Sequence, residues 1–162
     1  MNNSSADIQK AIIEELQAIF KDDLFMTPAG TERALNFYRQ EIPAPQGDDE
    51  DADPEVVAVP YCLVKVLDGT FSDWNYTREI STAIIFCIYN TDETKSGHEI
   101  IMGMIDKAFK HFAQKPNIKG SYIKLPIEWT IQTEEDTYPF YFGAFSLNLE
   151  AGGEKIALDD LT

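Results

Sequence analysis

Residues 78–89, REISTAIIFCIY, constrain the fold more than any other stretch of the chain. Strand alternation places Ile80, Ile84, Phe86 and Ile88 on one side and Ala83, Ile85, Cys87 and Tyr89 on the other. Apolar groups on both sides describe a strand covered on both faces. One cover is expected to be a helical layer. The second is either another helix or another subunit. With 44% hydrophobic residues over 162 positions, the chain can bury a core of that thickness, and full disorder is excluded.

The elements around this strand follow from periodicity and punctuation. A first helix is expected after Ser4 or Ser5, either of which can cap it, with Asp7 in the first turn where the helix dipole favours an acid. Ile8, Ile12, Leu16, Ile19 and Phe20 form its apolar stripe, and Thr27–Gly30 breaks it. Residues 31–40 fit a helical turn or a strand. Residues 42–55, IPAPQGDDEDADPE, hold six acids, three prolines and no base, and read as a mobile acidic excursion. VVAVPYCLVKVL, residues 56–67, is a strand that begins near Pro60, because proline withholds a ladder hydrogen bond. Asp68-Gly69 is expected to open a turn before the strand at 78–89.

Ser96 and Glu99 have the capping-box spacing that starts a second long helix, running to about Gln114. Its stripe is Ile101, Met104, Ile105, Ala108, Phe109 and Phe112. From Tyr122 to Gln132, Ile123, Leu125, Ile127, Trp129 and Ile131 alternate as one half-buried strand. A last strand covers about 138–150, with Tyr141, Phe145, Leu147 and Leu149 on one face. The expected architecture is α+β: a four-stranded, mostly antiparallel sheet with helices packed on one face. One domain spans 1–162, with the acidic loop at 42–55 and a short C-terminal tail at 152–162.

The charge balance narrows the function. There are 28 acids against 13 Lys and Arg, a formal charge of −15. Direct nucleic-acid binding and binding to an anionic membrane are both disfavoured. No uncharged run approaches the roughly 18 residues of a membrane helix, and the N-terminus lacks the basic and apolar regions of a secretory signal. Cys62 and Cys87 are too few for a disulfide framework and read as buried thiols in a reducing compartment.

Motifs for chemistry are missing. No phosphate-cradling glycine loop precedes a helix, and no nucleophile sits with a plausible base. His98 and His111 share one helix but point to different sides, so they cannot share a metal. Asp49, Asp51 and Asp53 match the first three ligand positions of a calcium loop, but Pro54 replaces the required glycine and Pro60 the bidentate glutamate. No cofactor or metal is expected. The candidate surfaces are instead contacts with other chains. They are the acids Asp48, Asp49, Glu50 and Asp51, the acidic turn Glu134, Glu135 and Asp136, and the aromatics Phe71, Trp74 and Tyr76. Those aromatics either cap one end of the core or meet another chain.

The order PYCLVKVL, REISTAIIFCIYNT, SGHEIIMGMIDKAFKHF, YIKLPIEWTI and PFYFGAFSLNLEA resembles the tail terminator (tail completion) proteins of tailed bacteriophages. With the N-terminal helix, the likeness covers most of the chain. It lies in the order and texture of the elements, so it assigns no residue a role. It implies a non-enzymatic structural protein of the virion tail, assembled in the bacterial host cytoplasm. It further implies a homo-oligomer, a hexameric ring that caps the tail tube and meets the head–tail connector. Exposed sheet edges and the doubly apolar strand are compatible with such self-association. Two other classes stay open. An acidic mimic that inhibits a nucleic-acid-binding protein suits the charge, but the acids are concentrated in a few segments rather than spread over a face. An enzyme would need a pocket holding a perturbed carboxylate.

Overall fold

The computed structural model describes residues 4–44, 53–94, 96–132 and 137–152, and among them it is a mixed α+β fold. Helix α1 is Ser5–Phe20. Ser4 starts it: its hydroxyl accepts from the Asp7 amide, and the Asp7 carboxylate accepts from the Ser4 amide. Two donors left over at the helix start are satisfied reciprocally. Ile8, Ala11, Ile12, Leu16 and Phe20 are buried, and Ile19 is half-buried against the same core.

The stretch at 31–40 resolves as extended chain. Strand β1 (Phe25–Met26) pairs antiparallel with β2 (Glu32–Arg33), and β3 (Asn36–Arg39) joins the main sheet. The short helix α2 (Pro54–Ala58) follows, taking in the end of the predicted acidic loop and the start of the predicted first strand. Its last carbonyls are occupied: Ala58 O accepts from Arg33 and Asn36, and Val59 O from Arg33.

Strand β4 (Tyr61–Phe71) and strand β5 (Arg78–Tyr89) form a long antiparallel hairpin. The turn expected at Asp68-Gly69 does not occur. A bulge at Leu67 absorbs one residue and β4 continues to Phe71. Gly69 serves close approach of backbones, since a Cβ there would fall 2.7 Å from Glu79 O.

Helix α3 (Gly97–Gln114) runs as its periodicity predicts, but the capping box does not form. The Ser96 hydroxyl donates to the Asp92 carboxylate at 2.8 Å, a charge-assisted bond that takes it away from the helix amides. Phe109, counted in the core stripe, is exposed at the stripe's margin.

The predicted strand 122–132 is broken. Strand β6 (Asn117–Ile118) pairs with β7 (Ser121–Lys124), and after Leu125-Pro126 the chain resumes as β8 (Trp129–Ile131). Ile123 is buried, and Ile127 and Ile131 pack against the core, whereas Leu125 and Trp129 are exposed. The interruption shifts the alternation, because Pro126 cannot donate to a ladder. Strand β9 (Phe140–Ala151) lies centrally, against β5 on one side and both β7 and β8 on the other.

The main sheet therefore has seven strands among the described residues, not four, in the order β3-β4-β5-β9-β7-β6 with β8 also on β9. It is antiparallel except for β3, which runs parallel to β4. Helices α1 and α3 cover one face, over Ile80, Ile84, Phe86, Phe145, Leu147 and Leu149. The expectation that all helices share that face fails for α2. Its Ala58 packs on the opposite side with Val59, Tyr61, Leu63 and Cys87, bordered by Tyr38, Ile85, Tyr89, Phe140 and Phe142. The second face of β5 is thus covered in part: Cys87 is buried in the small cluster with Ala58 of α2, while Ala83, Ile85 and Tyr89 stay half-buried. Cys62 faces one core and Cys87 the other, so these neighbours in the sheet are not bridged. Among the described residues, no helix is long and apolar enough to cross a membrane.

Candidate functional site

The distal half of the β4–β5 hairpin carries the most exposed apolar surface. Residues Leu67–Phe71 leave the buried part of β4 and stand in solvent. The turn that follows is held by Asp73, whose Oδ1 accepts from the amides of Asn75 at 2.8 Å and Thr77 at 3.3 Å. These bonds, that from Asn75 first, hold the Asp73 carboxyl below the usual carboxylate range. Ser72 N donates to Thr77 O at 2.7 Å and closes the loop. Tyr76 takes a left-handed conformation, φ 66°, that few non-glycine residues adopt, and this turns its ring back towards the strand end.

The result is an aromatic tip. Phe71 and Tyr76 meet edge to face with ring centroids 5.7 Å apart. Phe71 is 65% exposed, Tyr76 51% and Trp74 96%. Phe71, Ser72, Asp73, Trp74 and Tyr76 line an open cavity of about 490 Å³. Of the two readings the sequence left for these aromatics, a cap on the core fails, because none of the three is buried. Trp74 is held almost wholly in water on an ordered turn.

A second apolar surface escaped the sequence reading. Phe109 on α3 and Trp129 on β8 line, with Ile105, Asp106, Ile127 and Phe145, a cavity of about 220 Å³. Leu125, 76% exposed, belongs to the same broken strand. Strict alternation placed Trp129 and Leu125 inside; Pro126 was the signal against it.

The sheet edges differ. Strand β8 has its ladder partner on one side, β9, among the described residues. At the opposite edge β3 is ended by Gln40. Its side chain imitates one more residue of strand, accepting from Val66 N at 2.6 Å and donating to Val66 O at 3.1 Å. The buried Gln9 amide on α1 supports it, donating to Gln40 Oε1 and to Val64 O.

The acids Asp48, Asp49, Glu50 and Asp51, and the turn Glu134, Glu135 and Asp136, lie outside the described residues. His111 is bonded to Glu15 on α1 at 2.7 Å, with Lys115 on the same carboxylate at 2.6 Å, a tie between the two long helices. Lys115, ahead of His111, holds Glu15 below the usual carboxylate range against the opposing effect of its burial. Among the described residues no group of three or more His, Cys, Asp or Glu is placed to hold a metal ion. Burial pushes the Cys62 thiol up, away from the thiolate a nucleophile needs. The arrangement can bind apolar surface and pair sheet edges. No protein-family model and no curated protein sequence matches the chain.

Proposed function

We propose that the protein is a structural component that works by closing copies of itself into a ring, as the resemblance to phage tail terminators implies: a collar that caps a tail tube and meets the head connector. The observation that carries this reading is the aromatic tip, Phe71, Trp74 and Tyr76, on an ordered hairpin. The Phe109–Trp129 surface, on α3 and β8, supplies a second, different patch. Two unlike apolar surfaces on one chain suit a head-to-tail contact, in which the tip of one copy seats on the second surface of the next. Such a contact forms a ring when the rotation closes. The Gln40 side chain occupies the edge of β4 at Val66, past the end of β3, and opposes open-ended pairing at that point. The −15 formal charge spaces assembled collars from one another and steers them towards a basic partner.

Electron microscopy of the concentrated protein tests the reading. Class averages are expected to show closed sixfold rings. Solitary globular particles at every concentration contradict it.

A further inference from the structure

A cation on β5, beside a cavity that Ser5 of α1 also lines, is buried without a counter-charge among the described residues. Arg78, the first residue of β5, is 5% exposed, and its Nε and Nη2 have no hydrogen-bond partner among the described residues. Its register partners are Phe71 on β4 and Ala151 on β9. Ile80, Leu149 and Ala151 lie in the core under the helices, so alternation turns Arg78 to that same side. Across Ala151 stands Ser121, 1% exposed, with its hydroxyl also unpartnered. Arg78 lines a cavity of about 280 Å³ together with Gly69, Phe71, Ile80 and Ser5, the first residue of α1.

A guanidinium cannot shed its proton to escape burial, so an anion beside it would offset the cost of burying it. Of the nearby acids among the described residues, Glu79 and Asp7 are engaged. Glu79, also in the cavity wall, turns its carboxylate to the opposite side of the sheet and pairs with Lys124. Asp68, also in the cavity wall, sits across from Ser81, whose parity is that of the opposite face. Asp7 is taken by the Ser4 amide. The amino end of α1 adds the positive end of a helix dipole, and a guanidinium fork matches two oxygens of one group.

We propose that Arg78 and the amino end of α1 form a binding site for an oxyanion of carboxylate or phosphate chemistry, entering past Phe71. The site neutralises the guanidinium and joins the aromatic tip to the core, since Phe71 borders both cavities.

The test uses the full chain with inorganic phosphate as probe, against chloride at equal ionic strength. At a phosphate concentration equal to its dissociation constant, exchange of the amides at 4–10 and 76–82 through opening of the site is expected to slow about twofold in the wild type. The melting temperature is expected to rise with it. Arg78→Met is expected to melt at or above the wild type without phosphate and to ignore phosphate, because it removes an unpaired buried charge. Should Arg78→Met fail to fold, Arg78→Lys, which keeps the charge but lacks the fork, is expected to respond more weakly than the wild type. Light scattering in the same buffers separates the sources: an unchanged mass marks a free oxyanion, and a mass that falls with phosphate marks a carboxylate displaced from a neighbouring chain. A phosphate response that is absent, or equal in the wild type and the Arg78 variant, overturns the proposal.

Discussion

Gly143 on β9 lies directly beneath Ile101 on α3: a Cβ at position 143 would fall 2.2 Å from Ile101 Cγ2. Gly97 makes the same allowance for the ring of Tyr141, so two glycines let α3 settle onto the middle of the sheet. Gly143→Ala forces a fully buried, β-branched side chain out of place. It is expected to destabilise by about 1–3 kcal/mol, as overpacked cores do. Thermal unfolding checks this, with a fall of about 2–4 °C per kcal/mol for a chain of this size.

Cys62 and Cys87 occupy adjoining strands but opposite cores. A thiol reagent added to the native protein is expected to label neither quickly, since burial both hides Cys62 and pushes its thiol up. In denaturant both are expected to react at the rate of an ordinary cysteine. Prompt labelling of the native chain contradicts the two-sided burial of the sheet.

The Glu15 carboxylate has its folded-state proton affinity depressed by Lys115 and then His111. A depressed carboxylate contributes stability that is present above its unfolded value, here 4.5, and is lost as pH falls through the lower folded value. Glu15→Gln is therefore expected to be less stable than the wild type at pH 6, with the gap closing below pH 4.5. Urea midpoints measured across that range check the sign; a gap that widens on acidification contradicts it.

The central strand was readable to the residue. The apolar pattern of 78–89 appears in the structure as β5, Arg78–Tyr89, because one face is buried and the other part-buried, and a slip in register would expose the buried set. Helix α1 was readable from its stripe, and of the two caps the sequence offered, Ser4 and Ser5, local hydrogen bonds select Ser4. Failures came where a neighbour decided the outcome. Asp92 drew Ser96 away from the α3 amides, and the Leu67 bulge carried β4 through the expected turn. The strand count rose from four to seven because β3 and β6 are too short to show a period, and because the expected strand at 122–132 is split at Pro126 into β7 and β8. At the candidate site, the aromatics Phe71, Trp74 and Tyr76 were visible in the sequence, but their exposure depends on where the hairpin turns. Trp129 and Phe109 were hidden by assuming that alternation and helical stripes continue to their ends.

The aromatic tip has little part in holding the fold. Phe71→Ser and Trp74→Ser are expected to change stability by only about 0.5 kcal/mol, as substitutions at exposed positions do. If the tip seats on a neighbouring copy, each is expected to lower the concentration-dependent mass, since aromatic anchors dominate interface energies. Matched melting curves and light scattering check both halves; an unchanged mass in both variants moves the contact elsewhere.

The central claim is that copies of this chain close into a collar. Light scattering on the wild-type protein, over a series reaching high concentration, tests it most directly. The expected plateau is six times the 18.3 kDa chain mass, with no larger species beyond it. A mass that stays at one chain throughout, or that climbs without a plateau, contradicts the claim.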